Sequence, residues 1–174
     1  MRDLQRYCVW LVAATMWAAQ DAAARCALQR IEIRPLTHEN GPVYVGAAAG
    51  LQLRLRNEQQ SGEVTAFPEP PLEILDRRGQ AQCRLVGGIW ARDSVFVSAD
   101  GRTLLTLEYS GAWQALLLRD VRTCRKVGEI DLSAEPMWKI ETDRIVIGDA
   151  SRARTVRLDD RCRVRGDGGQ PQTR

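Results

Sequence analysis

Histidine is almost missing from this chain. His38 is the only one among 174 residues, and that scarcity removes most hydrolytic chemistry. A Ser-His-Asp hydrolase would have to centre on this loop residue between Thr37 and Glu39, and no G-x-S-x-G accompanies it. No H-E-x-x-H, phosphate-binding glycine loop or EF-hand pattern appears either. Carboxylates do fall near one another, as at Glu63, Glu69 and Glu73 or at Asp159 and Asp160. Charged turns and strand faces supply such pairs everywhere, so they do not make a glycosidase. These absences argue against an enzyme and leave no set of residues that calls for a cofactor.

Lysine is nearly as rare: of 25 basic residues only Lys126 and Lys139 are lysines, and the rest are arginine. Arginine suits bidentate contacts with carboxylates and interface packing, although a GC-rich genome produces the same bias. The net charge of +3 is too mild, and too evenly mixed in sign, to argue for nucleic acid. A C-x-x-C spacing is also absent, which speaks against zinc or another bound metal.

No apolar run is long enough to span a membrane comfortably. Tyr7 to Ala19 follows the positive Arg2 and Arg6, and Gln20 and Asp21 end it early. Ala22 and Ala24 then give a small-x-small cleavage pattern before Arg25. Residues 1–24 read as a signal peptide, with no membrane attachment after cleavage. A lipid anchor is not expected, because Cys26 follows Arg25 rather than a small residue. The expected location is the periplasm. Cys8 leaves with the signal, and Cys26, Cys83, Cys124 and Cys162 remain, an even number in an oxidising compartment. Two disulfides are expected, and spacing does not choose among the three pairings.

What is present is β-pattern. Ser94 to Ser98 alternates, and Ala99 to Arg102 supplies a turn with Gly101 able to take positive φ. Thr103 to Tyr109 is apolar, Ser110-Gly111 breaks it, Trp113 to Arg119 resumes it, Asp120 to Cys124 turns, and Lys126 to Asp131 closes the unit. This is how one four-stranded blade of a β-propeller is written. Its second half recurs: Leu72 to Gly87, Leu116 to Gly128 and Thr155 to Gly166 each give an apolar strand, an Asp-containing turn, Cys-Arg and a short strand. Cys83 to Cys124 is 41 residues and Cys124 to Cys162 is 38, near the period of about 40–45 expected of blades. Aligned by turn, Gly79 rather than Cys83 matches Cys124. Trp90 and Trp138 recur between the copies and read as core.

Elsewhere, Ala27 to Arg34 can be a strand with one wet face, and Val43 to Gly46 and Leu51 to Arg56 form two more. Asn57 to Pro71 is polar, then proline-rich, and cannot be a central strand. The tail 167–174 reads as disordered, and Arg165-Gly166-Asp167 is too short to carry an adhesion claim. The expected fold is all-β: antiparallel four-stranded blade-like sheets over residues 25–166, an open partial β-propeller of about three blades. Three blades cannot close a ring, so disulfides would replace closure.

Such a body is a binding module. Tyr109, Ser110, Gly111 and Trp113 have the composition of an interface hot spot, with aromatics at the shoulders and Ser-Gly at the tip. With signal peptide, cysteine pairs, blade-like body and no catalytic set in view, the chain resembles the periplasmic immunity proteins that neutralise type VI secretion amidase effectors. The local match is Tyr109-Ser110-Gly111. The resemblance implies an exported inhibitor that blocks the Cys-His cleft of a peptidoglycan amidase by inserting a loop. Its serine would lie near the catalytic histidine, and that role would fall on Ser110. The reading from another class is a non-catalytic envelope adaptor that recruits a partner along an open blade edge.

Overall fold

The computed structural model describes residues 26–37, 41–57, 64–68, 71–142 and 144–165. The expected signal peptide 1–24, the tail 167–174, His38, Glu63 and Glu69 lie outside the described residues. Every described element is a strand, and every pairing is antiparallel. The strands are β1 (Leu28–Arg30), β2 (Arg34–Pro35), β3 (Val43–Ala48), β4 (Leu51–Arg56), β5 (Ala66–Pro68), β6 (Leu72–Leu75) and β7 (Ala81–Leu85). They continue with β8 (Ile89–Ser98), β9 (Thr103–Ser110), β10 (Trp113–Asp120), β11 (Lys126–Asp131), β12 (Trp138–Glu141), β13 (Arg144–Ile147) and β14 (Arg154–Arg157).

They form three sheets. The first is β2-β3-β4-β6-β7, the middle one β1-β8-β9-β10-β11 with β5 also on β8, and the last β12-β13-β14. Three blade-like sheets are what the period implied, but their sizes are five, six and three strands rather than four each. The N-terminal segment explains part of this. Ala27 to Arg34 is not one strand: β1 lies on the middle sheet, and the chain then crosses to the first sheet as β2. β5 lies on the same edge of β8 as β1, further along, and Pro68 ends it. An edge place is where proline is tolerated.

The middle sheet is buried on both faces. Val95, Val97, Trp90, Phe67 and Leu104 pack with Tyr44, Leu53, Leu55 and Ile74 of the first sheet. Leu105, Leu116, Leu118 and Ile130 pack with Ile145, Ile147 and Leu158 on the other side. Successive side chains of a strand point to opposite faces, so Leu104 and Leu105 serve different cores. That is why β9 and β10 are apolar nearly throughout. Each buried leucine contributes about 1.5–3 kcal/mol. Trp90 is fully buried, and Trp138 meets Phe96 edge to face with ring centroids 5.9 Å apart.

The recurring Asp turn joins the last two strands of each unit. Asp76 and Asp159 accept backbone N–H bonds through Oδ1 from Arg78 and Gln80 and from Arg161 and Arg163, and Asp120 accepts from Thr123 N–H and Oγ1–H. The turn-aligned positions Gly79, Cys124 and Cys162 all have positive φ, at 74°, 57° and 54°. The third copy ends in a single bridge, Leu158 with Val164, so the last sheet is the smallest.

The cysteines pair as Cys26–Cys162 and Cys83–Cys124, with Cα separations of 4.9 and 6.3 Å. Cys83 lies on β7 of the first sheet and Cys124 in the turn of the middle one. Cys26 precedes β1 on the middle sheet, and Cys162 lies in the turn after β14. Each disulfide therefore spans one gap between neighbouring sheets.

Candidate functional site

β9 and β10 make a two-residue hairpin in which Ser110 pairs with Trp113 across Gly111-Ala112. Gly111 has a φ of 59° and Ala112 is not in the left-handed region, the arrangement of a type II′ turn with glycine first. Ser110, Gly111 and Ala112 are exposed, and Tyr109 and Trp113 are half-buried. The four residues singled out from sequence thus come together at one hairpin tip. Among the described residues the Ser110 hydroxyl has no hydrogen-bond partner, and a Cβ added at Gly111 would meet open space.

The hairpin is held at its base on both sides. Tyr109 is opposite Ile89 of β8, and Leu132 N–H donates to Gln114 O at 2.8 Å. Gln114 N–H in turn donates to Ser133 Oγ at 3.2 Å. The tip runs past both neighbours, because β8 begins opposite Tyr109. The chain entering β8 is Gly87-Gly88, two residues without side chains. Gly88 has a second reason to be glycine, since a Cβ there would lie 2.8 Å from Glu108 Oε2.

Beneath the hairpin lies a polar group that the sequence reading did not single out. Thr106, Glu108 and Arg119 are buried on the face of β9 and β10 turned to the first sheet. Arg119 grips Glu108 with both guanidinium nitrogens: Nη1 donates to Oε1 and, at 3.0 Å, to Thr106 Oγ1, while Nη2 donates to Oε2 at 3.1 Å. Thr106 Oγ1 donates to Glu108 Oε1 at 2.7 Å. A bidentate, mutually satisfied set of this kind holds one geometry. The signal was a charged residue, Glu108, inside an apolar strand.

Three of the five large apolar side chains exposed among the described residues lie at this end; Val127 and Val164 lie at the other. Leu36 is 59% exposed, Val86 73% and Met137 58%, and strand registers place all three at the hairpin end of their sheets. Glu73, one of the candidate acid/base carboxylates, is instead buried between Arg54 and Arg84, at 2.6 and 2.9 Å. Burial raises its pKa, but the Arg54 hydrogen bond and the two positive charges outweigh it, and the net shift is downward. Asp159 serves its turn. Among the described residues no group of three or more His, Cys, Asp or Glu side chains is placed to hold a metal.

An all-β body with an exposed hairpin tip and apolar side chains beside it has the form of a protein-binding module. The family model for "Immune protein Tsi1" matches residues 26–165. The immune protein Tsi1 of Pseudomonas aeruginosa is 33% identical over 136 residues, covering 77% of this chain and 78% of that protein. The chain belongs to the Tsi1 family of immune proteins. By family it is an immunity protein and not an enzyme.

Proposed function

We propose that this protein works in the periplasm and neutralises a peptidoglycan amidase effector of type VI secretion by seating the Tyr109–Trp113 hairpin in the effector's active-site cleft. Ser110 is the residue that reaches the catalytic histidine, and Tyr109 and Trp113 fill the walls of the cleft. One observation carries this reading: Ser110 stands exposed at the tip of a hairpin anchored on both sides, and no hydrogen bond to another described residue occupies its hydroxyl. A plug that is already ordered loses little entropy on binding. Leu36, Val86 and Met137 provide an apolar rim at the same end. Two inter-sheet disulfides fit an oxidising compartment, and residues 1–24 are the export signal. Family membership favours this reading over an envelope adaptor.

The test is titration of Ser110→Trp into the cognate Cys-His amidase, beside the unaltered protein. Stoichiometric inhibition by the unaltered protein and at least about a tenfold weaker affinity of the variant, at unchanged melting temperature, support the reading. Equal affinity would remove the hairpin from the interface.

A further inference from the structure

The three Asp turns lie at the end opposite the hairpin, and they give this end an arginine-rich character that the mild net charge conceals. Thr103, where β9 begins, is the far end of an eight-residue strand, about 24 Å from Ser110. Here the β3–β4 tip, the β8–β9 tip and the Asp turns meet: a Cβ on Gly101 would lie 2.6 Å from Ala49 O, and Thr103 Oγ1 donates to Arg161 O at 3.3 Å.

Two adjoining cavities open at this junction. One of about 510 Å³ is lined by Gln82, Gly101, Arg102, Asp120, Val121 and Arg122. The other, about 250 Å³, includes Asp100, Arg102, Asp120, Arg161 and Arg163. Arg102 and Asp120 belong to both. The carboxylates are largely used internally. Asp120 Oδ1 takes the Thr123 N–H and hydroxyl, and Asp100 Oδ1 takes the Ser98 hydroxyl at 2.6 Å and the Arg102 N–H at 3.1 Å. The Thr123 side-chain and backbone bonds hold the Asp120 pKa below its usual value, against desolvation, so it is ionised at neutral pH. Arg102 reaches Asp100 only at 3.8 Å, with its side chain 84% exposed.

Four guanidinium groups against two carboxylates leave two positive charges on the lining. Cys124 lies two residues from Arg122, and Cys162 stands between Arg161 and Arg163, so both disulfides pin the turns that carry these arginines. We propose that this paired cavity is a binding site for a phosphomonoester dianion. A phosphate group carries about −1.5 to −2 charge at neutral pH, which matches the lining, and arginine forks suit its oxygens. The group can come from a soluble phosphate or from a lipid headgroup, and the site is separate from the hairpin.

The experiment follows backbone amide resonances of the oxidised protein, at low salt, during titration with inorganic phosphate. A parallel arm measures co-sedimentation with phosphatidylcholine vesicles containing phosphatidic acid. Saturable shifts confined to residues 100–103, 120–125 and 159–163 are expected. The double variant Arg102→Gln, Arg161→Gln should bind phosphate at least about tenfold more weakly and keep its melting temperature. The control Arg56→Gln, at the hairpin end, should change nothing. Vesicle binding that this double variant abolishes assigns the phosphate to a lipid headgroup, and phosphate binding without vesicle binding assigns it to a soluble ligand. Absence of localised shifts, or phosphate and vesicle binding that the double variant retains in full, overturns the proposal, because the paired cavity would then not hold the phosphate.

Discussion

At Gly111 the backbone holds a φ of 59°, where a β-carbon costs about 1–2 kcal/mol. Gly111→Ala has open space for its methyl group, so the loss should be confined to that backbone term and appear as a lower urea midpoint. Glu108 presents the opposite case, a charge whose value depends on its partner. Glu108→Ala leaves Arg119 buried without a carboxylate and should cost about 3–5 kcal/mol, measured by equilibrium unfolding. Glu73 adds a pH dependence. Its pKa is lowered in the folded protein from 4.5, so its contribution is complete above that value and is lost as the pH falls through the lower, folded one. Unfolding across an acid series should show this fall, and Arg54→Met should make it shallower.

Among elements, the repeated turn is the unit that does most. The first copy puts glycine at the left-handed position, and the other two put a cysteine there, accepting local backbone strain to place a sulfur between sheets. Removing Cys83–Cys124 as a double serine variant should cost about 4 kcal/mol, and removing Cys26–Cys162 about 5 kcal/mol, in the chain-entropy description of a closed loop. The difference follows from sequence separations of 41 and 136 residues. Denaturant unfolding of the two variants checks both the size and the order. β8 shows a different device. Between Trp90 and Val95 its register with β9 shifts, and the bulged segment sends Arg92 over the Tyr44 ring and to Ile33 O and Val64 O. The first core and the middle sheet are joined there by a cation as well as by apolar contact.

Across the whole molecule, the two ends of the three sheets differ in the side chains they expose. The hairpin end exposes Leu36, Val86 and Met137 beside Ser110; the turn end carries Arg102, Arg122, Arg161 and Arg163. Because two disulfides each staple the middle sheet to one neighbour, mild reduction should loosen the stack before the sheets themselves are lost. The expected result is a lowered melting temperature together with weaker effector inhibition, measured in parallel on oxidised and reduced protein. Retained inhibition at full strength after complete reduction would mean that the middle sheet alone holds the hairpin.

The sequence by itself determined the β-architecture, the three-fold recurrence and the hairpin with Tyr109, Ser110, Gly111 and Trp113. Those features are local: alternation, Asp and Gly turns and a period near 40 residues are set by neighbours along the chain. Tertiary structure alone decided which cysteines pair, that Ala27 to Arg34 splits between two sheets, and that Thr106, Glu108 and Arg119 lock together beneath the tip. It also decided that Arg102, Arg122, Arg161 and Arg163, far apart along the chain, meet at the turn end. Each of these depends on residues distant in sequence being brought to the same place, and stacking three sheets with the three recurring Asp turns at the same end is what brings them there.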